Sequence, residues 1–283
     1  MASQREIRRR IGAVRNIRQI TRAMQFVAAS KLRRAQEATL AARPYSDTLE
    51  EVLADLASVL TEEEHPLLAR RSGGRRCIVL LTTDRGLAGS LNTNAIRFAL
   101  REIVEHGDDI TVITVGRKGR DAMRRARVSL EASFNGFGDR PRFADVLPLA
   151  RLITDDYLAG TYGRIDLVYS VFVTTLTQRP RLGQLLPIRP APDTAGIPGR
   201  QFIFEPSPGV VLSQLLPRYV ATRLYQAVLE GTASEQSARM VAMKNATENA
   251  EELIEDLTLT YNKVRQANIT REMIEIATGA RAL

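Results

Sequence analysis

Apolar residues recur at steps of three and four along the first helix-like stretch of the chain. They run through Ile7, Ile11, Val14, Ile17, Ile20 (or Thr21), Met24, Val27 and Ala28 to Leu32 and Ala35. A stripe that keeps this spacing for four heptads predicts a coiled-coil seam rather than the broader face of a globular helix. The helix opens on Ser3-x-x-Glu6, a capping box in which each side chain can satisfy a free backbone donor. Pro44 is expected to kink or break it near Arg43. A second helical stretch over residues 47–60 then carries Leu49, Val52, Leu53, Leu56 and Leu60 on one side.

The pattern changes in the middle of the chain. Residues 76–83, 110–115 and 165–174 are short apolar runs rich in β-branched residues. Helical stretches lie between them, over 92–105, 117–127 and 143–158. Strands that alternate with helices predict βαβ units and a mostly parallel sheet sandwiched by helices. Residues 178–199, rich in Pro and Gly, read as an edge strand and loops, and 201–205 as one more strand.

A second long helix starts at Ser207-Pro208, an N-cap residue with Pro in the first helical position. After its first turn, which holds Gly209, only Pro217 and Gly231 are strong breakers before Thr278. A continuous helix of about 70 residues would be roughly 105 Å long, more than one domain can bury. Near its end Leu253, Leu257, Thr260, Val264, Ala267 and Ile274 continue a seven-residue pattern, so the natural partner is the N-terminal stripe. The expected fold class is α/β, with a long antiparallel coiled coil of the N- and C-terminal helices and an inserted Rossmann-like α/β domain. The expected boundaries are 1–60 for the first coiled-coil helix, 75–205 for the α/β domain and 207–283 for the second.

Composition sharpens this picture. Aromatic content of 5% with no Trp suits helix pairs better than a large globular core. The net charge of +8 is concentrated: residues 1–43 hold eleven basic and two acidic side chains, and the other 240 residues sum to −1. Such a segment should face something acidic. An Arg-rich, acid-poor start can mark a transit peptide, but here the same residues carry the seam and read as part of the mature fold. A basic-region helix of the zipper type is the rival reading. Those basic regions precede the apolar heptads, whereas here the stripe runs straight through the arginines from Ile7 onward.

Candidate chemistry is sparse. Cys77 stands alone, and His65 and His106 lie in different segments without metal-ligand spacing. No apolar run approaches the roughly 20 residues needed to cross a bilayer. No phosphate-binding G-x-x-x-x-G-K-[ST] motif is present. The pair Gly116 and Gly119 lacks the three-glycine dinucleotide spacing and reads as a strand-to-helix turn. The loop 83–92 follows the first strand, where α/β folds place ligands. Asp84 and Ser90 could coordinate a cation there. Alternatively, Gly86 and Gly89 permit a tight turn while Asp84 and Asn92 hydrogen-bond the loop, and this reading is preferred. No catalytic residue, cofactor or metal is expected.

Both ends of the chain resemble a known family. Residues 23–36 (AMQFVAASKLRRAQ) are similar to the N-terminal helix of F-type ATP synthase gamma subunits, and 84–89 (DRGLAG) to the family's central loop. Residues 238–246 (ARMVAMKNA), 261–267 (YNKVRQA) and 269–276 (ITREMIEI), with Gly279-Ala280, resemble its C-terminal helix. Phe26 stands where Met is usual, Ala88 where Cys is common and Thr278 where Gly is common.

The resemblance implies a non-catalytic rotor, one copy per complex, standing inside a ring of alpha and beta subunits. It implies binding to epsilon and the c-ring, torque transfer coupling ion translocation to ATP synthesis or hydrolysis, and no nucleic-acid partner. It implies a peripheral position on the cytoplasmic face of a bacterial membrane. By the same resemblance Met24, Arg265, Gln266 and Thr270 contact a beta subunit. Phe204, Glu205 and Pro206 correspond to the segment near the c-ring and epsilon. The tip 277–283, small and apolar apart from Arg281, is expected to act as a bearing.

Overall fold

The computed structural model describes residues 3–57, 65–71, 73–107, 109–189 and 208–279. The strand expected over 201–205 and the N-cap at Ser207 lie outside these residues. The elements run α1 (Gln4–Ala57), β1 (Arg75–Leu81), α2 (Leu91–His106), β2 (Ile110–Val115), α3 (Arg117–Arg125), β3 (Leu130–Phe134), α4 (Phe143–Leu158), β4 (Tyr162–Phe172), β5 (Gln178–Leu186) and α5 (Pro208–Gly279). Contacts gather them into two compact units, Ala29–Ala238 and a second formed by Met1–Ala28 with Arg239–Leu283.

In the first unit the sheet order is β3-β2-β1-β4-β5. Strands β1, β2, β3 and β4 pair in parallel, and β5 closes the edge antiparallel to β4. Side-chain alternation divides the sheet into two apolar layers. Cys77, Val79, Ile113, Ile165 and Leu167 meet α4 and the buried side of α5, including Leu212, Leu216, Val220 and Leu224. Ile78, Leu80, Val112 and Val168 meet α2 and α3 through Ala95, Ala99 and Met123. The chain moves outward from β1 to β3 and then returns to β4 on the other side of β1. Right-handed crossovers therefore place α4 on the face opposite α2 and α3.

Helix α1 does not break at Pro44. It runs through, and residues 47–57 continue it rather than forming a second helix. Proline removes one backbone donor, but side chains hold the helix in the turns that follow it. Arg218 donates to the Tyr45 hydroxyl at 2.8 Å, Gln226 bonds the buried Ser46, Arg223 pairs with Glu50 at 2.5 Å, and Leu49 and Leu53 are buried.

The second unit is the antiparallel helix pair. Gln4 and Arg8 both donate to the Tyr261 hydroxyl, Arg18 pairs with Glu251, and the Thr21 and Thr247 hydroxyls bond at 2.8 Å. Partners on α5 thus step backward as those on α1 step forward. The seam phase differs from the expected stripe. Ile7, Ile11, Thr21 and Ala28 are buried, whereas Ile17, Ile20 and Val27 are 52%, 59% and 53% exposed. The seam keeps the seven-residue phase of Ile7, Ile11 and Val14, which puts Arg18, Thr21 and Gln25 at seam positions. On α5 it passes through Met243, Thr247, Ala250, Ile254, Leu257, Tyr261 and Val264, leaving Leu253, Thr260, Ala267 and Ile274 exposed. Each helix carries more apolar side chains than one seam can cover.

Candidate functional site

The start of α1 follows from its cap: the Glu6 amide donates to the Ser3 hydroxyl, and the Glu6 carboxylate pairs with Arg10 one turn on. Its start lies beside Tyr261, so the stretch of α5 after Val264 has almost no cover from α1. Arg265, Gln266, Thr270 and every described side chain from Arg271 to Thr278 are exposed. Helical spacing sets Arg265, Gln266, Ile269, Thr270 and Met273 on one face. Thr270 turns its hydroxyl back to the Gln266 carbonyl at 2.9 Å. The face therefore offers an amide and a guanidinium beside bare apolar side chains.

Ile269, Met273 and Ile276, all strongly exposed, were not singled out from the sequence. Their signal was there: they are apolar residues that fall out of phase with the seam. Met24 is half-buried on α1. Because Thr21 is level with Thr247, Met24 is level with residues near 244, about 30 Å along the axis from Arg265 at helical rise. The structure thus brings Arg265, Gln266 and Thr270 together and holds Met24 apart from them. Phe204, Glu205 and Pro206 lie outside the described residues, as does most of the 277–283 tip.

The loop after β1 was the other candidate. Asp84 accepts the Arg117 amide at 3.1 Å through one oxygen and the Gly136 amide at 2.8 Å through the other. Asn92 accepts the Thr83 amide and donates to its hydroxyl, closing the loop on itself. Asn92 holds its own loop, as the preferred reading had it, whereas Asp84 ties that loop to the start of α3 and to the connection after β3. The glycines after β2 serve packing. A Cβ on Gly116 would sit 2.3 Å from the Thr82 carbonyl oxygen, and one on Gly119 would sit 2.8 Å from the Thr82 hydroxyl. The Gly119 amide donates to that same hydroxyl at 2.9 Å, so α3 approaches the end of β1 closely.

The order of the strands creates a crevice at the carboxyl ends of β1 and β4, where doubly wound sheets bind ligands. Here α5 fills it: Val228, Gly231, Thr232 and Glu235 line what remains, a cavity of about 70 Å³. That volume suits a few waters and no nucleotide. Cys77 is fully buried, and burial pushes its thiol up to about 12, so it is no nucleophile at neutral pH. Among the described residues no group of three His, Cys, Asp or Glu is placed to hold a metal ion, and no helix is long and apolar enough to cross a membrane.

The family model described as ATP synthase matches residues 3–283. The ATP synthase gamma chain of Dehalococcoides mccartyi is 48% identical over 285 residues, covering all of both chains. That of Roseiflexus castenholzii is 49% identical over 288 residues, covering 100% of this chain and 99% of the relative. Among solved structures, the rotor of the Euglena gracilis mitochondrial ATP synthase contains a chain with TM-score 0.66 at 20% identity, covering 94% of this chain and 98% of that one. A chain of the same organism's OSCP/F1/c-ring assembly gives 0.68 at 21% identity, covering 99% and 94%. At that identity the structures speak for the fold, whereas the bacterial relatives, aligned from end to end, speak for descent. The chain belongs to the ATP synthase gamma chain family.

Proposed function

We propose that the chain is the central-stalk rotor of a bacterial F-type ATP synthase. It turns inside the alpha and beta subunits and carries torque between them and the c-ring, coupling ion translocation to ATP synthesis or hydrolysis. It performs no chemistry itself. The observation that carries this reading is identity near 48%, over the full length, to bacterial gamma chains.

The geometry supports it. A rotor changes the affinity of a catalytic site only through differential contacts with that site's conformations. The helix pair offers such contacts unevenly around its circumference: apolar Ile17, Ile20 and Val27 on one side of α1, and the Arg265, Gln266 and Thr270 face on α5. In this reading Met24, Arg265, Gln266 and Thr270 meet a beta subunit, and Phe204, Glu205 and Pro206 meet epsilon and the c-ring. The exposed arginines Arg5, Arg9, Arg15 and Arg22 of α1 face acidic surfaces of the ring, and the protein sits peripherally at the cytoplasmic face of the membrane.

The zipper reading loses its support because Arg8 and Arg18 reach partners on α5 across the seam instead of leaving it as free arms. In the α/β body, α5 occupies the crevice where doubly wound sheets bind ligands. The deciding experiment is native mass spectrometry of complexes captured through a tag on this chain in its own cells. The expected result is one copy with three copies each of two nucleotide-binding subunits, and a homodimer carrying nucleic acid would overturn the proposal.

A further inference from the structure

A run of buried polar side chains on α5 has no role in the contacts discussed so far. Ser234, Gln236 and Ser237 are at most 1% exposed, at positions where a helix packed on a sheet would ordinarily present apolar groups. Each bonds a different part of the α/β body. The Ser234 hydroxyl donates to the Ser170 carbonyl of β4 at 2.9 Å, and the Ser237 hydroxyl to the Thr175 carbonyl in the β4–β5 turn at 2.8 Å. The Gln236 amide donates to one oxygen of Asp139, in the connection between β3 and α4, at 3.2 Å. Lys31 of α1 donates to the other oxygen at 2.6 Å. One carboxylate therefore joins both long helices to one loop.

We propose that Lys31, Asp139 and Gln236, with Ser234 and Ser237 beside them, form a torsional clamp through which the α/β body drives the two helices. This rests on the rotor reading and assigns positioning residues to it. Apolar packing is non-directional and proportional to area, so it resists separation of a helix from a sheet far better than rolling of that helix about its own axis. Hydrogen bonds weaken steeply with angle, and those to charged groups are the strongest. A few such bonds placed away from the helix axes, on three separate parts of the body, resist rolling where packing does not. The cluster also ends at residue 237, next to the last residue of its unit, beyond which α5 enters the helix pair.

The test uses the chain assembled with its alpha and beta subunits. A rotation probe is coupled to Val104→Cys, an exposed site on α2, which buried Cys77 does not compete with. The quantity read is the angular spread of the probe during catalytic pauses, alongside unloaded ATPase. Asp139→Ala and Lys31→Met are each expected to widen the spread by about 1.5-fold with unloaded ATPase unchanged, since a directional restraint is lost while packing remains. Asp139→Glu is expected to keep the original width. An unchanged spread in Lys31→Met and in Asp139→Ala would overturn the clamp, and if Asp139→Ala fails to assemble, Lys31→Met alone decides. Failure of the chain carrying Val104→Cys alone to rotate at all would overturn the rotor reading itself.

Discussion

Asp166 is fully buried on β4, where it accepts from Arg76 at 2.6 Å and from Arg164 at 2.8 Å, and Arg76 also reaches Glu102 at 3.4 Å. Removing one member of a buried ion cluster strands the others, a loss of about 3–5 kcal/mol. Asp166→Ala is expected to lower the unfolding free energy of the chain by about that much in chemical denaturation. The double variant with Arg76→Met should recover only part of it, because the buried Arg76 charge is no longer stranded but Glu102 has lost its partner. Glu230 makes a prediction of the opposite sign. Burial raises its carboxyl above the ordinary value of 4.5 against the pull of Arg181, Arg43 and Arg223, and one of its oxygens has no partner. Its ionisation is thus harder in the folded chain than in the unfolded one. The associated stability is present below pH 4.5 and is lost as pH rises through the raised value. Glu230→Gln should raise the melting temperature at pH 7 and leave it nearly unchanged at pH 4.5, which thermal scans at the two pH values would show. Neither site was legible beforehand. Arg76, Glu102 and Asp166 are far apart in the sequence, and nothing in their local patterns says that they meet. Asn92 was legible, because a side-chain amide beside glycines after a first strand suits closing its own turn, whereas the partners of Asp84 lie 33 and 52 residues away and were not.

Among the elements, α1 carries a proline in its interior. Pro44→Ala restores a backbone donor to a helix that is already continuous. The expected gain is about 1–2 kcal/mol, the interior cost of proline less the entropy that it removes from the unfolded chain. Equilibrium denaturation would measure it, and a loss of stability would mean that α1 depends on the ring of Pro44 for packing. The break expected there did not occur because local rules weigh proline against one helix in isolation, whereas Ser46, Leu49 and Glu50 are held by α5 and the body. Strands β1, β2 and β4 and helices α2, α3 and α4 were legible, being buried runs or clear amphipathic periods. Strand β3 was not. Leu130–Phe134 is a half-exposed edge of five residues with Glu and Ser inside it, and it lacks both signals. The seam was legible in period but not in phase. Ile17, Ile20 and Val27 mimic core positions in a sequence read alone, and contacts across the pair, such as Thr21 with Thr247 and Arg18 with Glu251, show which stripe faces α5.

For the whole molecule, exposed groups on α5 separate function from stability. Arg265→Ala and Gln266→Ala touch no packed neighbour, so each should shift the stability of the isolated chain by no more than about 0.5 kcal/mol. Each should nonetheless weaken assembly with, or turnover by, the alpha and beta subunits. Unaltered ATPase and assembly in both would remove these residues from the functional surface. The crevice at the ends of β1 and β4 has a further consequence, in time rather than in space. The residues that stop it, Val228 to Glu235, leave the ribosome some forty positions after the sheet is completed by β5, which ends at Leu186. At 5–20 residues per second the sheet stands for a few seconds with its apolar side uncovered by α5. Residues 1–28 wait longer still, since their partner begins at Arg239. The chain is therefore most vulnerable while it is being made, and a growing polypeptide halted before residue 212 should bind a chaperone that the finished protein ignores.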